Sequence, residues 1–346
     1  MNAKRILIRQ LTSYSHSFHR GHVKTGKNTC FYEHGANSTV GADVIAFSEK
    51  DIYYLKTPPQ KYPGQLWIFY SKEPQVKIKH ASLQPRWDGF FNYSVTFDRT
   101  TEESYHVFRP RLMKITPPLA YFYTPYPNML KLRALWCVSH CKKWNDTNNI
   151  LGGREEYVLE LSKYITIDLH TLARKEACPT TFKKISGTIN RRGQPRMQDY
   201  MFYLSFENNL CKDYISGKFW KVLIANSTTI PVALGGLSME DYASITPPHS
   251  FIHVRNFTSP KALAEHLQFV SQNAQAFNYY NKWKNEYKID TSHFTMFDDY
   301  RSLGYYVDYM KYMCDLVNER PRNVWHTFSK DYTPNDCVNI SQPEQP

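Results

Sequence analysis

A near-continuous apolar run, YMFYLSFE at residues 200–207, constrains this chain more than any other feature. A strand with one wet face alternates polar and apolar residues. A run that is apolar at almost every position needs cover on both faces, as at the centre of a parallel sheet. Its surroundings supply that sheet and its cover. ALWCVS (134–139), TIDLH (166–170) and TIPVALGG (229–236) are short and rich in β-branched or aromatic residues, and read as further strands. GGREEYVLELSKYI (152–165) reads as a helix, with Tyr157, Leu161 and Tyr164 on one side and Glu155 and Glu156 in the first turn, where the helix dipole favours them. KDYISGKFWKVLIANS (212–227) reads as a second helix starting near Asp213, with Tyr214, Ile215, Phe219, Val222 and Leu223 along one side. SPKALAEHLQFVSQNAQAF (259–277) reads as a third, with Ser259 as N-cap, Pro260 at the first helical position and Leu263, Leu267 and Val270 as its buried stripe. Repeated strand–helix alternation predicts an α/β fold with a mostly parallel sheet.

The first part of the chain has KRILIR (4–9), VIAF (44–47) and QLWIFYS (65–71) as strands, FNYSVTF (91–97) as a strand or strand-like turn, and TPPQKYPG (57–64) as a loop. PPLAYFYTPYPN (117–128) collects prolines and tyrosines without a period and reads as a linker. The expected division is therefore a first domain over 1–126, a second over 127–290 and a C-terminal tail over 291–346 that packs back on the body.

Composition bounds the function. The chain has 346 residues, a formal charge of +12, and 42% apolar residues, which excludes a disordered chain and suits two domains. No apolar run approaches the ~20 residues of a membrane span, and no long apolar stretch follows the basic N-terminus. A signal peptide or signal anchor is therefore not expected in this chain. The positive charge leaves nucleic acid, anionic lipid or a phosphate-bearing substrate as partners. Seven cysteines form no C-x-x-C pair, which argues against a zinc ribbon. Six N-x-S/T sequons, at Asn37, Asn92, Asn145, Asn226, Asn256 and Asn339, are candidate glycosylation sites and favour a secretory compartment. A secretory protein without a targeting segment is one expected to lack its natural N-terminus.

Chemistry concentrates where the 200–207 strand ends in Glu207 and Asn208 and a helix follows. Ligands of open α/β sheets bind beyond the carboxyl ends of strands, and a helix N-terminus offers free N–H groups to phosphate. Lys212 and Lys218 add positive charge there. The spacing of His16, His19 and His22 reads as a loop of solvated histidines, and no metal site is expected. The basic run 174–196 lacks an aromatic stacking platform and reads as a solvated loop, so no nucleic acid is expected.

From Phe202 to Lys284 the chain resembles the α-1,3-fucosyltransferases, the inverting family that uses GDP-fucose. The family pattern FYLxFENSxxxDYxTEK, VPVVLGG, APPxSFI and FxSPKELAxYL is matched here by FYLSFENNLCKDYISGK, IPVALGG, TPPHSFI and FTSPKALAEHL, followed by YYNKWK. Upstream, CVSHC, GREEYVLEL and TIDLH resemble the family too, as do GADVIAFSEKDI and PGQLWIFYSKEP more weakly, so the likeness covers most of residues 4–320. It implies the GT-B arrangement, two Rossmann-like domains facing across a cleft. It implies a glycosyltransferase that moves L-fucose from GDP-fucose to a GlcNAc hydroxyl of an N-glycan or related glycan, in α-1,3 linkage. On matching positions, Arg154 would hold the diphosphate, Tyr214 and Lys218 would contact the phosphates, and Glu207 and Asn208 would shape the donor site. Glu73 matches the family's catalytic base, although by residue type alone it reads as an exposed loop carboxylate. No cofactor is implied, divalent-metal stimulation is left open, and no D-x-D triplet is present. The family's members are Golgi type II membrane proteins, so a membrane would be met only through an anchor absent from this chain.

Two departures stand out. Gly217 occupies the Glu position of the family's T-E-K triplet, inside the expected helix, and removes a carboxylate that would bind the nucleotide sugar. A lost hydrogen bond to a charged group costs about 1.5–3 kcal/mol, or one to two decades of donor affinity. Val317 stands where the family has the second cysteine of a C-x-x-C that begins at Cys314. One disulfide partner is therefore missing, with Cys337 able to substitute. The alternative reading is a weak or inactive family member that binds nucleotide or glycan; the remote one is a basic nucleic-acid-binding module.

Overall fold

The structure is a computed structural model. It describes residues 5–10, 21–25, 28–34, 38–55, 57–71, 85–97, 104–106, 111–125, 130–138, 153–171, 195–225, 227–236, 238–290, 294–295, 306–307, 313–315, 317, 328–331 and 337–338. The chain forms two compact units. The first comprises Met1–Phe108, Ser292–Thr295 and Tyr306–Asp336; the second comprises Arg109–Thr291, Met296–Tyr305 and Cys337–Pro346.

The first unit carries a seven-stranded sheet of β1 (Arg5–Gln10), β2 (Gly21–Thr25), β3 (Asn28–His34), β4 (Val44–Ser48), β5 (Leu66–Tyr70), β6 (Tyr93–Thr96) and β7 (Ser104–His106), in the order β2-β3-β1-β4-β5-β6-β7. All pairings are parallel except the β2–β3 hairpin. β4 and β5 are buried at every position, as central strands covered on both sides must be. One face packs Ile6, Ile8, Val44, Ala46, Ile68 and Tyr70 against Met313 and Cys314. The other packs Ile45, Phe47, Trp67 and Phe69 against Trp87, Phe91 and Phe328, with helix α1 (Glu49–Leu55) contributing Ile52. Residues from the C-terminal segment thus belong to the first unit's core. Cys314 is disulfide-bonded to Cys30 on β3, not to Cys337 as the missing C-x-x-C cysteine suggested. Cys337 lies instead on the two-residue strand Cys337–Val338, opposite Cys211.

The second unit begins earlier than residue 127. Strand β8 (Arg111–Lys114) pairs antiparallel with β15 (Tyr287–Asp290), which ties the proline-rich linker to this unit. Its main sheet is parallel throughout and contains β9 (Leu130–Val138), β10 (Thr166–Thr171), β11 (Tyr200–Phe206), β13 (Ile230–Leu234) and β14 (Ile252–His253), in the order β10-β9-β11-β13-β14. Between β11 and β13 lie the two-residue strand β12 (Leu210–Cys211) and helix α3 (Gly217–Ile224). Helix α2 (Arg154–Leu161) and helix α5 (Pro260–Gln272) cover one face, where Val158, Leu161, Leu263, Leu267 and Val270 meet Trp136, Phe202, Leu204 and Val232. On the other face, Val222 of α3 packs with Leu135, Tyr200 and Tyr203. Tyr164 falls beyond α2 and is exposed.

The third expected helix is split. Ser259 caps α5 through a 3.1 Å bond from the Ala262 N–H, but Asn273 then caps a separate helix, α6 (Ala274–Tyr279), with its side chain. Helix α4 (Met239–Ile245) follows β13.

Candidate functional site

β11 carries the site because its end is fixed on every side. The Glu207 N–H donates to the Leu234 carbonyl at 2.9 Å, which continues the β11–β13 ladder for one more residue. The chain must then leave the sheet. Asp213 adopts a left-handed backbone, φ 62°, and Ser216 is extended, so helix α3 starts at Gly217 rather than near Asp213. The cause is the buried Glu207 carboxylate. One oxygen accepts the Ser216 backbone N–H at 2.7 Å and the other accepts the Lys218 ammonium at 2.9 Å. A carboxylate that takes the Ser216 N–H holds that residue out of the helix. Ser216 then serves as N-cap, its hydroxyl accepting the Lys218 N–H at 3.3 Å. Gly217 is the first helical residue, not an interior one, so its low helix propensity costs little there.

The structure brings four expected residues into two neighbouring hydrogen-bonded groups. Lys218 bridges Glu207 and the Ser216 hydroxyl, the latter at 3.1 Å, and the Tyr214 hydroxyl donates to the Asn208 amide oxygen at 2.9 Å. Lys218 keeps a quarter of its side chain exposed, and an ammonium has three donors, so a third remains for an anion. Arg154 joins from α2. Gly153, left-handed at φ 57°, turns the chain into that helix, so that Arg154 is its first residue. The buried guanidinium donates to Glu155 at 3.0 Å and to the Phe206 carbonyl at 3.3 Å, one residue before Glu207, and lies 5.9 Å from the Trp136 ring. Two cations therefore flank the carboxyl end of β11.

The turn after β13 explains its glycines. A Cβ on Gly235 would meet the Tyr242 hydroxyl and the Tyr214 carbonyl, and one on Gly236 would enter the Cys211 backbone. The Gly-Gly pair thus lets the Cys211–Tyr214 loop sit against β13.

Residues that the sequence reading did not single out also belong here. Tyr242 on α4 is buried, and burial together with the Glu207 charge pushes its hydroxyl well above the ordinary tyrosine range. His253 is fully buried 5.1 Å from the Tyr242 ring, without a hydrogen-bond partner on either nitrogen among the described residues, and burial lowers it to about 4. Lys221, one turn beyond Lys218, lies 4.6 Å from the Tyr203 ring, and burial lowers it to about 8. The signal for Lys221 was its i, i+3 spacing from Lys218; His253 had none, since its neighbours come from other elements.

Glu73 lies outside the described residues, as do Asn37, Asn145, Asn226 and Asn339. Asn256 is exposed. Asn92 is buried, and its amide oxygen accepts the Trp67 N–H at 2.9 Å and the Lys61 ammonium at 3.0 Å. It works as an internal bracket of the first unit rather than as a side chain offered to solvent. Among the described residues no three His, Cys, Asp or Glu side chains converge as a metal centre, and no helix is long and apolar enough to cross a membrane.

Parallel Rossmann-like sheets, with a cation-flanked site at strand ends, are the fold class of GT-B glycosyltransferases. Solved structures agree on that fold. The chain superposes on a crystal structure of an alpha1,3-fucosyltransferase with a TM-score of 0.50 at 13% identity, covering 96% of this chain and 93% of that one. A crystal structure of alpha1,3-fucosyltransferase with GDP-fucose gives 0.51 at 13% identity, covering 93% and 94%. The sequence narrows the class to a family. Residues 129–330 match the model of the glycosyltransferase family 10 (fucosyltransferase) C-terminal domain, and the chain belongs to that family. It is 28% identical to Alpha-(1,3)-fucosyltransferase C of Drosophila melanogaster over 278 residues, with 72% of this chain and 58% of that protein covered. It is 32% identical to 4-galactosyl-N-acetylglucosaminide 3-alpha-L-fucosyltransferase 9 of Bos taurus over 253 residues, 72% of this chain and 62% of that protein. The chain thus spans about six-tenths of the length of these relatives.

Proposed function

We propose that this chain is a fucosyltransferase catalytic region that transfers L-fucose from GDP-fucose to a GlcNAc hydroxyl of a glycan, in α-1,3 linkage and with inversion. The observation that carries the reading is the group at the end of β11, Glu207–Ser216–Lys218 with Tyr214–Asn208 beside it and Arg154 behind it. As GDP leaves, negative charge grows on its diphosphate. Lys218 and Arg154 are already held in place, so they stabilise that charge without reorganising, an effect worth about 10²–10³ in rate for one preorganised donor. Glu207 acts as a positioning residue: it fixes Lys218 and the helix start and spends both oxygens inside the protein. On the acceptor side, Glu73 takes the proton of the attacking hydroxyl as that oxygen bonds to the anomeric carbon and the bond to GDP breaks. This chemistry calls for no resident cofactor, and divalent-metal stimulation is read by adding the ion to the transfer assay. The reading places the protein in the Golgi lumen.

Calorimetric titration with GDP tests the donor site. Micromolar binding that weakens at least tenfold in Lys218→Ala supports it. A folded protein that binds no GDP at millimolar concentration refutes it. A second reading, a family member with weak or no transfer that retains nucleotide or glycan binding, is favoured by Gly217 alone, because no carboxylate is present at that position.

A further inference from the structure

Among the described residues, three carboxamides are buried in the first unit: Gln10, Gln65 and Asn92. Two stand at the amino ends of strands and are committed to the protein. Gln65 precedes β5; its amide donates to the Thr39 carbonyl at 2.6 Å and the Ala42 carbonyl at 2.9 Å, and its oxygen accepts the Trp67 indole N–H at 3.0 Å. Asn92 precedes β6, and its oxygen accepts the Trp67 backbone N–H and the Lys61 ammonium. Gln10 differs. It is the last residue of β1, at that strand's carboxyl end, and is 2% exposed. Neither its oxygen nor its nitrogen has a hydrogen-bond partner among the described residues. Ile6 and Ile8 precede it on the same face and belong to the core, so an apolar side chain at position 10 would simply continue that stripe. Buried polar atoms are nearly always partnered, and an orphaned pair destabilises the fold that keeps it. Such a group points to a role outside the unit's own packing.

Topology supplies that role. The sheet order is β2-β3-β1-β4-β5-β6-β7. From β1 the chain lays β2 and β3 on one side, then crosses back to lay β4 on the other, and β1 pairs parallel with both β3 and β4. The winding therefore reverses at β1. Open α/β sheets take their ligands outside the carboxyl ends of strands at such a reversal. Gln10 stands there, opposite His34 of β3 and Ala46 of β4. The Ala46 side chain offers it no polar atom. The end of β4 is closed on itself, because the Asp51 carboxylate accepts the Ser48 N–H at 2.6 Å and the Ser48 hydroxyl at 2.7 Å. Chemistry then selects the ligand. A carboxamide is neutral and both donates and accepts. A sugar hydroxyl does the same, whereas a phosphate or carboxylate only accepts and an ammonium only donates.

We propose that Gln10 is a specificity-determining residue for the acceptor, its carboxamide bonding a pair of hydroxyls on the glycan. The proposal rests on the reading of this chain as a glycan-directed transferase and deepens its acceptor side. Gln10→Met tests it, since methionine keeps the length of the side chain and removes both polar ends. Acceptor kcat/KM should fall about tenfold or more, with GDP affinity unchanged. Tm should rise by about 2–8 °C, because the orphaned buried atoms are gone. Gln65→Met, which strips a fully bonded carboxamide, should instead lower Tm. Monodeoxy analogues of the acceptor give a second readout. The parent should lose about tenfold on an analogue lacking a contacted hydroxyl, and Gln10→Met should treat that analogue and the intact sugar alike. Saturation-transfer NMR of the GlcNAc-containing oligosaccharide, with GDP present, separates the two levels. A parent that binds the glycan without forming product refutes the transfer reading alone, and Gln10 then stands if the Met variant loses that binding. The proposal is overturned if the parent binds no glycan, if Gln10→Met keeps the parent's glycan binding and kcat/KM, if it lowers Tm as Gln65→Met does, or if both proteins discriminate equally among the deoxy analogues.

Discussion

Glu207→Gln is the sharpest perturbation of the donor site. The substitution keeps side-chain volume and removes the charge that holds two partners. The parent carboxylate is fully buried and accepts the Ser216 N–H at 2.7 Å and the Lys218 ammonium at 2.9 Å. In the variant one amide oxygen remains, and its NH₂ faces either an N–H or an ammonium. Breaking a buried ion pair costs about 3–5 kcal/mol, but Lys218 is a quarter exposed and recovers part of its hydration. We therefore expect about 2–3 kcal/mol, which for a unit of this size lowers Tm by about 4–12 °C. Lys218 also loses its fixed position, so GDP affinity should fall by about one to two decades, the value of one charge-assisted hydrogen bond. Differential scanning fluorimetry reads the first effect and calorimetric titration the second. A Tm within a degree of the parent, together with unchanged GDP affinity, would refute the assignment of Glu207 as the tether of Lys218 and α3.

Three further outcomes follow from particular residues. Gly217→Glu should tighten GDP-fucose binding about 10- to 100-fold by supplying the absent carboxylate, as read by competition with GDP; no change would remove the reason for regarding Gly217 as a defect. His253 is neutral when folded, held near 4 against about 6.5 unfolded, so the unfolded chain binds more protons as pH falls. That stability is fully present above about pH 6.5 and is lost towards about pH 4, up to ~3 kcal/mol, and a His253→Gln variant should show a flatter Tm–pH profile over that window. In a secretory host, Asn256→Gln should lower the protein's mass by one glycan, whereas Asn92→Gln should leave the mass of attached glycan unchanged and destabilise the first unit.

The parts of the fold that were legible rest on local signals. The unbroken apolar run of β11 demanded a central strand, and Ser259–Pro260 marked the start of α5. The less legible parts depend on residues distant in sequence. Helix α3 begins four residues late because a carboxylate nine residues back holds the Ser216 N–H. Cys314 bonds a cysteine 284 residues away, and no spacing rule could select Cys30. The linker belongs to the second unit because β8 finds its partner at Tyr287–Asp290, near that unit's end. Strand β2 escaped notice because GHVKT is polar and forms the edge of its sheet, and β3 because only Cys30 and Tyr32 of NTCFYEH enter the core. In the site, the residue types and order were readable around Glu207. Their mutual pairing was not, since whether Lys218 meets Glu207 or solvent is decided by the loop between them.

The most direct test of the central claim is transfer itself. The purified chain is given GDP-fucose and a GlcNAc-containing oligosaccharide, and Glu73→Gln is run beside it with GDP binding measured on both. The account predicts fucosylated product from the parent, none from the variant, and equal GDP affinity. Product formation undiminished in Glu73→Gln, or a parent that binds GDP and glycan without forming product, would contradict it.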